Sequence, residues 1–253
     1  MYLTIDGHQI QPEPKQSLRE LIVALGLESS SLKDRPLAAK IAGEVFTLNY
    51  IPVREQTAAS DRSSMRRAMA ASGGKISLLR YGDEAGKEAY IRSANFVIFL
   101  AMRQLWPQGT VKMNCSIGSS LYLQVSGIAD FSVDVLKDRV SQLVQQDICL
   151  QRRRVPLEEA KQRYLAQGET DKARLLTWRK QDYLDEYAYC EFSDCFQGEM
   201  VPSTGYLTVW DIQPAQDGFL LIYPDNANPD QVAKRPNPPT FLLFSQKESA
   251  GES

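Results

Sequence analysis

One imidazole, His8, is all that this chain of 253 residues carries. Paired-histidine metal sites need at least two such rings, so that class is excluded, and little remains for histidine-assisted nucleophiles. The four cysteines, Cys115, Cys149, Cys190 and Cys195, are the other soft ligands. Cys190 and Cys195 stand five apart with no second pair at zinc-ribbon spacing, so all four read as reduced thiols and no metal or cofactor is implied. Phosphate-cradling loops are tested by Gly73-Gly74-Lys75 and by Gly82 to Gly86-Lys87. The first lacks the earlier glycine, the second has three intervening residues, and neither ends in Ser or Thr for magnesium. The strongest basic cluster is Arg152-Arg153-Arg154, ahead of a segment carrying Lys161, Arg163, Lys172, Arg174, Arg179 and Lys180. It is a candidate for RNA contact, but Glu158, Glu159, Glu169, Asp171, Asp182, Asp185 and Glu186 are interspersed. That pattern favours a salt-bridged, solvated face.

Composition bounds the scaffold for these groups. The chain is 43% hydrophobic and 24% charged, enough for one large or two modest domains. Its formal net charge of −2 gives no global attraction to nucleic acid. The longest apolar run, Phe96 to Met102, is seven residues, against the roughly 20 that span a bilayer, so no membrane partner is expected. The start, Met1 to Asp6, has no basic stretch leading into an apolar one, which makes the cytoplasm the expected compartment.

Periodicity then divides the chain. Met1 to Ile5, the Asp6-Gly7 turn and His8 to Ile10 read as a hairpin, because both turn positions tolerate positive φ. Ser17 with Glu20 three residues on is a capping box for a short helix closed by Gly26. Ala38 to Ile41 and Val45 to Leu48 make a second hairpin around Ala42-Gly43-Glu44. Two hairpins around one helix in residues 1–54 is a β-grasp plan. Residues 55–74 read as a linker whose Arg62, Arg66 and Arg67 are solvated rather than phosphate-bound. A second unit, 75–230, is expected to begin with the strand Lys75 to Arg80 and a helix from about Ser93 to Leu105. It continues with strands Val111 to Asn114 and Leu121 to Val125, a helix Asp134 to Gln145, and a helical hairpin broken at Gly168. Strands Tyr187 to Phe192, Tyr206 to Ile212 and Phe219 to Tyr223 follow. Residues 231–253 are a Pro-rich segment and polar tail. The fold class is therefore α+β.

Two stretches carry a family likeness. Tyr90-Ile91-Arg92-Ser93-Ala94-Asn95-Phe96 with Ala101-Met102, and Val201-Pro202-Ser203-Thr204-Gly205, resemble the second additional domain with which threonyl- and alanyl-tRNA synthetases edit. The first unit resembles the TGS module that precedes it in threonyl-tRNA synthetases. In that family a His-x-x-x-His helix and a Cys-x-x-x-His segment build the editing site. Here the corresponding positions are Arg92 and Phe96, then Phe196 and Met200, with Cys195 one residue out of register. A guanidinium is permanently protonated, a phenyl ring has no lone pair, and a thioether is no base, so the editing chemistry does not carry over. The stretch Phe196 to Leu207 with Pro224-Asp225-Asn226 and Asn228-Pro229 also looks like the amino-terminal half of bacterial uridine kinase-like nucleoside kinases. The chain stops at Ser253, about where their kinase half would begin.

The resemblance implies a non-catalytic accessory module with no catalytic residue assigned. Its expected ligand pocket comprises Arg92, Phe96, Asp194, Phe196, Met200, Ser203 and Thr204, with Arg92 clamping phosphate or carboxylate and the aromatics stacking a base. A nucleotide, an aminoacyl-nucleotide or another small molecule would be the ligand, and a kinase domain in cis or trans the partner. The competing reading is that Phe96, Phe196 and Met200 have filled a vacated cavity with core. Two further alternatives are tRNA-related: RNA binding through the first unit and the Arg152 cluster, or metal-independent hydrolysis of mischarged tRNA or a free aminoacyl adduct with Asp194, Glu199 or Cys195 as base.

Overall fold

The computed structural model describes residues 2–52, 70–166 and 168–236. Arg62, Arg66, Arg67 and the segment Thr240 to Phe244 lie outside the described residues. What is described is a mixed α+β fold of three sheets.

In the first sheet the local signals act as their chemistry requires. β1 (Leu3–Ile5) and β2 (His8–Ile10) pair antiparallel around Asp6 and Gly7, at φ 45° and 88°. Helix α1 (Leu18–Ala24) starts at a full capping box: the Ser17 amide donates to Glu20 Oε2 at 2.7 Å, and the Glu20 amide donates to Ser17 Oγ at 3.3 Å. β3 (Ala38–Ile41) and β4 (Glu44–Phe46) form the second hairpin, with Ala42 and Gly43 at φ 49° and 91°.

β5 (Lys75–Leu79), expected to open the second unit, instead lies in the middle of this sheet, whose order is β2-β1-β5-β3-β4. It runs parallel to β1, with Ile5 opposite Ile76, and antiparallel to β3, with Ala38 opposite Leu79. Burying Ile76, Leu78 and Leu79 between two hairpins completes a core that four short strands leave open. The helix expected from Ser93 begins nine residues earlier: α2 spans Glu84–Leu105. Gly86 permits this, since a Cβ there would stand 2.1 Å from the Arg80 carbonyl oxygen. The early turns of α2 can therefore press against the end of β5.

Beyond α2, β6 (Thr110–Ser116), β7 (Ser120–Ser126), β11 (Asp211–Ala215) and β12 (Gly218–Ile222) build an antiparallel sheet in the order β11-β12-β7-β6. Helix α3 (Val133–Gln145) packs Leu136, Val140 and Leu143 inward. The strand expected at Tyr206 to Ile212 is divided: Thr204–Tyr206 is a single 3-10 turn, and strand geometry begins only at Asp211. Polar anchoring of Thr204 to α3 holds that turn away from the sheet. The third sheet, β10-β9-β8, joins β8 (Arg152–Pro156), β9 (Tyr183–Tyr189) and β10 (Phe192–Asp194). Between β8 and β9 the chain forms the helical hairpin α4 (Leu157–Ala166) and α5 (Thr170–Leu176), which carries its own small core of Val155, Ala160, Tyr164, Ala173, Leu176 and Leu184. One continuous core reaches from Leu3 and Leu21 in the first sheet through Tyr90 and Phe96 of α2 to Leu123 and Phe219.

Candidate functional site

Arg92 and Phe96 lie one turn apart on α2, so both face the loop that follows β10. Phe96 is 0% exposed. Its ring meets those of Phe192 at 5.4 Å, Phe196 at 6.0 Å and Tyr187 at 6.4 Å between centroids, in tilted and edge-on arrangements. Met200 is also 0% exposed and belongs to the same core. Arg92 reaches across the loop: one Nη donates to the Glu199 carbonyl oxygen, and the other stands 3.7 Å from Glu88 Oε2. Its guanidinium lies over Gly198, where a Cβ would come within 2.9 Å of Cζ and where φ is +98°. The expected phosphate clamp is thus engaged in holding backbone.

Two groups not assigned to the pocket from sequence complete the arrangement. Ser93 is fully buried, and its hydroxyl donates to the Ala89 carbonyl at 2.7 Å while accepting the Val201 amide at 3.0 Å. The Tyr187 hydroxyl accepts the Met200 amide at 3.1 Å and lies 3.3 Å from Glu199 Oε2. Their signal in the sequence is faint, because a serine inside a helix and a tyrosine in a strand each have ordinary local reasons to be there. Glu199 is singled out by sequence only as a potential base. Its carboxyl, 8% exposed, is pushed above the usual carboxylate range by burial, against the opposing pull of Arg152, whose Nη2 lies 3.1 Å from Oε1.

The remaining expected pocket residues sit in other surroundings. Asp194 pairs with Lys172 of α5 at 3.1 Å and accepts the Cys195 amide at 2.8 Å. Ser203 donates to Asp147 Oδ1. Thr204 donates to the Leu143 carbonyl at 2.6 Å and accepts the Ile148 amide at 2.9 Å, which fastens the 3-10 turn to the end of α3. Arg92, Phe96, Phe196 and Met200 therefore come together, whereas Asp194, Ser203 and Thr204 each serve a separate junction. Cys195 has its thiol pushed up chiefly by burial, with Arg179 opposing, so little thiolate is present at neutral pH.

The arginine triplet lies on β8, in register with acidic residues of β9. Arg153 faces Glu186 and Arg154 faces Asp185. Arg153 donates to Glu186 Oε1 at 2.7 Å, and Arg154 forks onto Asp185 at 2.9 and 3.3 Å while lying 3.7 Å over the Tyr183 ring. With Arg152 on Glu199, all three guanidinium groups face carboxylates, the salt-bridged arrangement favoured from charge pattern. Among the described residues, no group of three His, Cys, Asp or Glu side chains is placed to hold a metal ion. None of their helices is long and apolar enough to cross a membrane. An open cleft of about 720 Å³ lies at the other sheet, between α3 and the β11–β12 turn, bordered by Phe131, Lys137, Ile212, Asp217 and Arg235. None of the expected pocket residues lines it.

No family model matches the chain. A threonine–tRNA ligase of Desulforamulus reducens is 26% identical over 183 residues, covering 71% of this chain and 26% of that protein. One from Clostridium kluyveri is 26% identical over 204 residues, covering 79% of this chain and 29% of the ligase. A third, from Halorhodospira halophila, is 26% identical over 141 residues, covering 54% of this chain and 22% of its own length. The chain thus spans less than a third of the curated relatives it matches. The likeness to threonyl-tRNA synthetases expected from sequence is distant but extends over most of the chain. The nucleoside-kinase association finds no support among these relatives.

Proposed function

We propose that the chain is a tRNA-related protein: an RNA-binding, non-hydrolytic counterpart of the TGS and editing regions of threonine–tRNA ligases. The order β2-β1-β5-β3-β4 around α1 supports a β-grasp, TGS-like first unit that closes only with Lys75–Leu79. On this reading the editing-like part begins with α2. The similarity over 183 to 204 residues supports common descent with those ligases over most of the chain.

The observation that carries the non-hydrolytic half is the complete burial of Phe96 and Met200. At two positions where the resemblance expects imidazoles facing a substrate, apolar side chains are in the core. A general base must reach the proton it removes, and a sealed phenyl ring and thioether offer neither a lone pair of the right kind nor access. Arg92, bonded to the Glu199 carbonyl and covering Gly198, works against the nucleotide-clamping version of an accessory module.

Binding and hydrolysis are separable in one preparation. Fluorescence anisotropy with labelled tRNA should give an affinity that falls as salt is raised, because phosphate contacts release counterions. Mischarged tRNA incubated with the protein should lose its aminoacyl group no faster than in buffer. Absence of tRNA binding at low salt would overturn the RNA-binding half. Turnover that Asp194→Ala abolishes would replace it with the hydrolase alternative.

A further inference from the structure

The end of the helical hairpin exposes two large apolar side chains side by side in the sequence register of one helical turn. Trp178 is 81% exposed and Leu175 is 69% exposed, although tryptophan and leucine are ordinarily among the more buried residues. The backbone keeps a helical turn past α5, with the Thr177 amide donating to the Arg174 carbonyl and the Trp178 amide to the Leu175 carbonyl. Leu175 and Trp178, three apart, therefore share one face, and Arg174, four before Trp178, borders it. A lone exposed apolar residue needs no explanation, but an indole next to an exposed leucine at a helix end is a patch.

Charge indicates what covers it. From Lys172 to Gln181 the sequence holds Lys172, Arg174, Arg179 and Lys180 and no carboxylate. Lys172 is engaged by Glu169 and Asp194. Among the described residues Arg174 pairs with Asp171 alone, at 3.4 Å, in a pair whose side chains are 78% and 89% exposed and which solvent screens. Arg179 donates to the Cys195 sulfur, and Lys180 has no ion pair among the described residues. An exposed indole with three cations within four residues of it along the chain suits a ligand with flat π-faces and an anionic backbone, which is single-stranded nucleic acid.

We propose that the Leu175–Trp178 corner, with Arg174, Arg179 and Lys180, is a docking site for single-stranded RNA, with a base stacked on Trp178. This inference rests on the tRNA-binding reading and gives it a location, distinct from the arginine triplet that carboxylates occupy on β8.

The full chain is titrated with tRNA and with a single-stranded RNA of about 12 nucleotides, within the usual range for such surfaces. Indole fluorescence is followed, and Trp178→Phe identifies the part of the signal due to Trp178. The expected result is quenching on binding, retained affinity within a few fold in Trp178→Phe, and weakening of about 5- to 150-fold in Trp178→Ala. Arg174→Gln with Lys180→Gln should lower the slope of log K against log salt by about 0.7 for each phosphate that is no longer neutralised. If wild-type protein binds tRNA and both Trp178→Ala and the double variant bind equally well, this inference is overturned while the tRNA-binding reading stands. If wild-type protein binds neither RNA, both fall. Self-association that Trp178→Ala cures, with no quenching by RNA, would assign the corner to a second copy of the chain and overturn the proposal.

Discussion

Arg92 lies across Gly198 so closely that an added Cβ would stand 2.9 Å from its Cζ, and this contact ties α2 to the loop leading into Val201-Pro202-Ser203. The position that the editing resemblance reserves for an imidazole is here occupied by a cation used as a structural strap. Gly198 also has φ +98°, a conformation that L side chains rarely adopt.

Gly198→Ala should accordingly destabilise the protein by about 1–3 kcal/mol, the usual cost of forcing a side chain into such backbone. Urea denaturation would measure it. A change within experimental error would mean that the loop shifts freely and that Arg92 is not holding it.

Phe96 lies at the centre of the aromatic cluster, and Phe96→Ala should cost about 3–5 kcal/mol through reduced burial and the cavity left behind. Phe96→His, which installs the residue type that the editing resemblance expects there, should also lower stability and bring no deacylation, since its ring would be desolvated in the core. Thermal melts and an assay with mischarged tRNA check the two parts separately.

Glu199 sets a pH dependence of definite sign. Its folded carboxyl binds its proton more tightly than the unfolded one, because burial outweighs Arg152. Over the range just above the ordinary value of 4.5 the native state holds more protons than the unfolded state, so stability falls as pH rises through that window. Glu199→Gln should remove this fall. Denaturation midpoints of both proteins from about pH 4 to 7 test it, and parallel curves would rule it out.

Asp230 joins the end of the described chain to the first unit. Its carboxylate accepts the Ser31 hydroxyl and the Leu32 amide, each at 2.6 Å, and the Lys33 amide at 3.4 Å, and the first of these chiefly holds its pKa below the ordinary 3.8. The contribution is present above the unfolded value and is lost as pH falls through the folded one. Asp230→Asn should lower the melting temperature at neutral pH and flatten the acid side of the profile. Hydrogen exchange at Leu32 and Lys33 should quicken in the variant, and unchanged exchange would count against the clamp.

Local chemistry is legible in the sequence wherever it is self-contained. The Ser17–Glu20 box, the Asp6-Gly7 turn and the Arg92–Phe96 spacing need only residues three or four apart to act. The missing imidazoles are equally plain, since a residue type is absent or present whatever the fold. The role of Lys75–Leu79 is not legible, because its partner Thr4 lies 71 residues away and parallel pairing leaves no turn signature. For the same reason Arg153 and Arg154 read as a basic cluster until β9 brings Glu186 and Asp185 opposite them.

What the sequence determined by itself was a chain with a single histidine, with Arg92, Phe96, Phe196 and Met200 at the spacings of the resemblance, together with short-range turns and helix starts. The tertiary structure alone decided that Phe96 and Met200 are sealed in core, that Arg92 braces a loop and that Trp178 is left in solvent. Burial and partner choice depend on strand register and helix packing between distant segments, and these follow from closing a common core rather than from neighbouring residues.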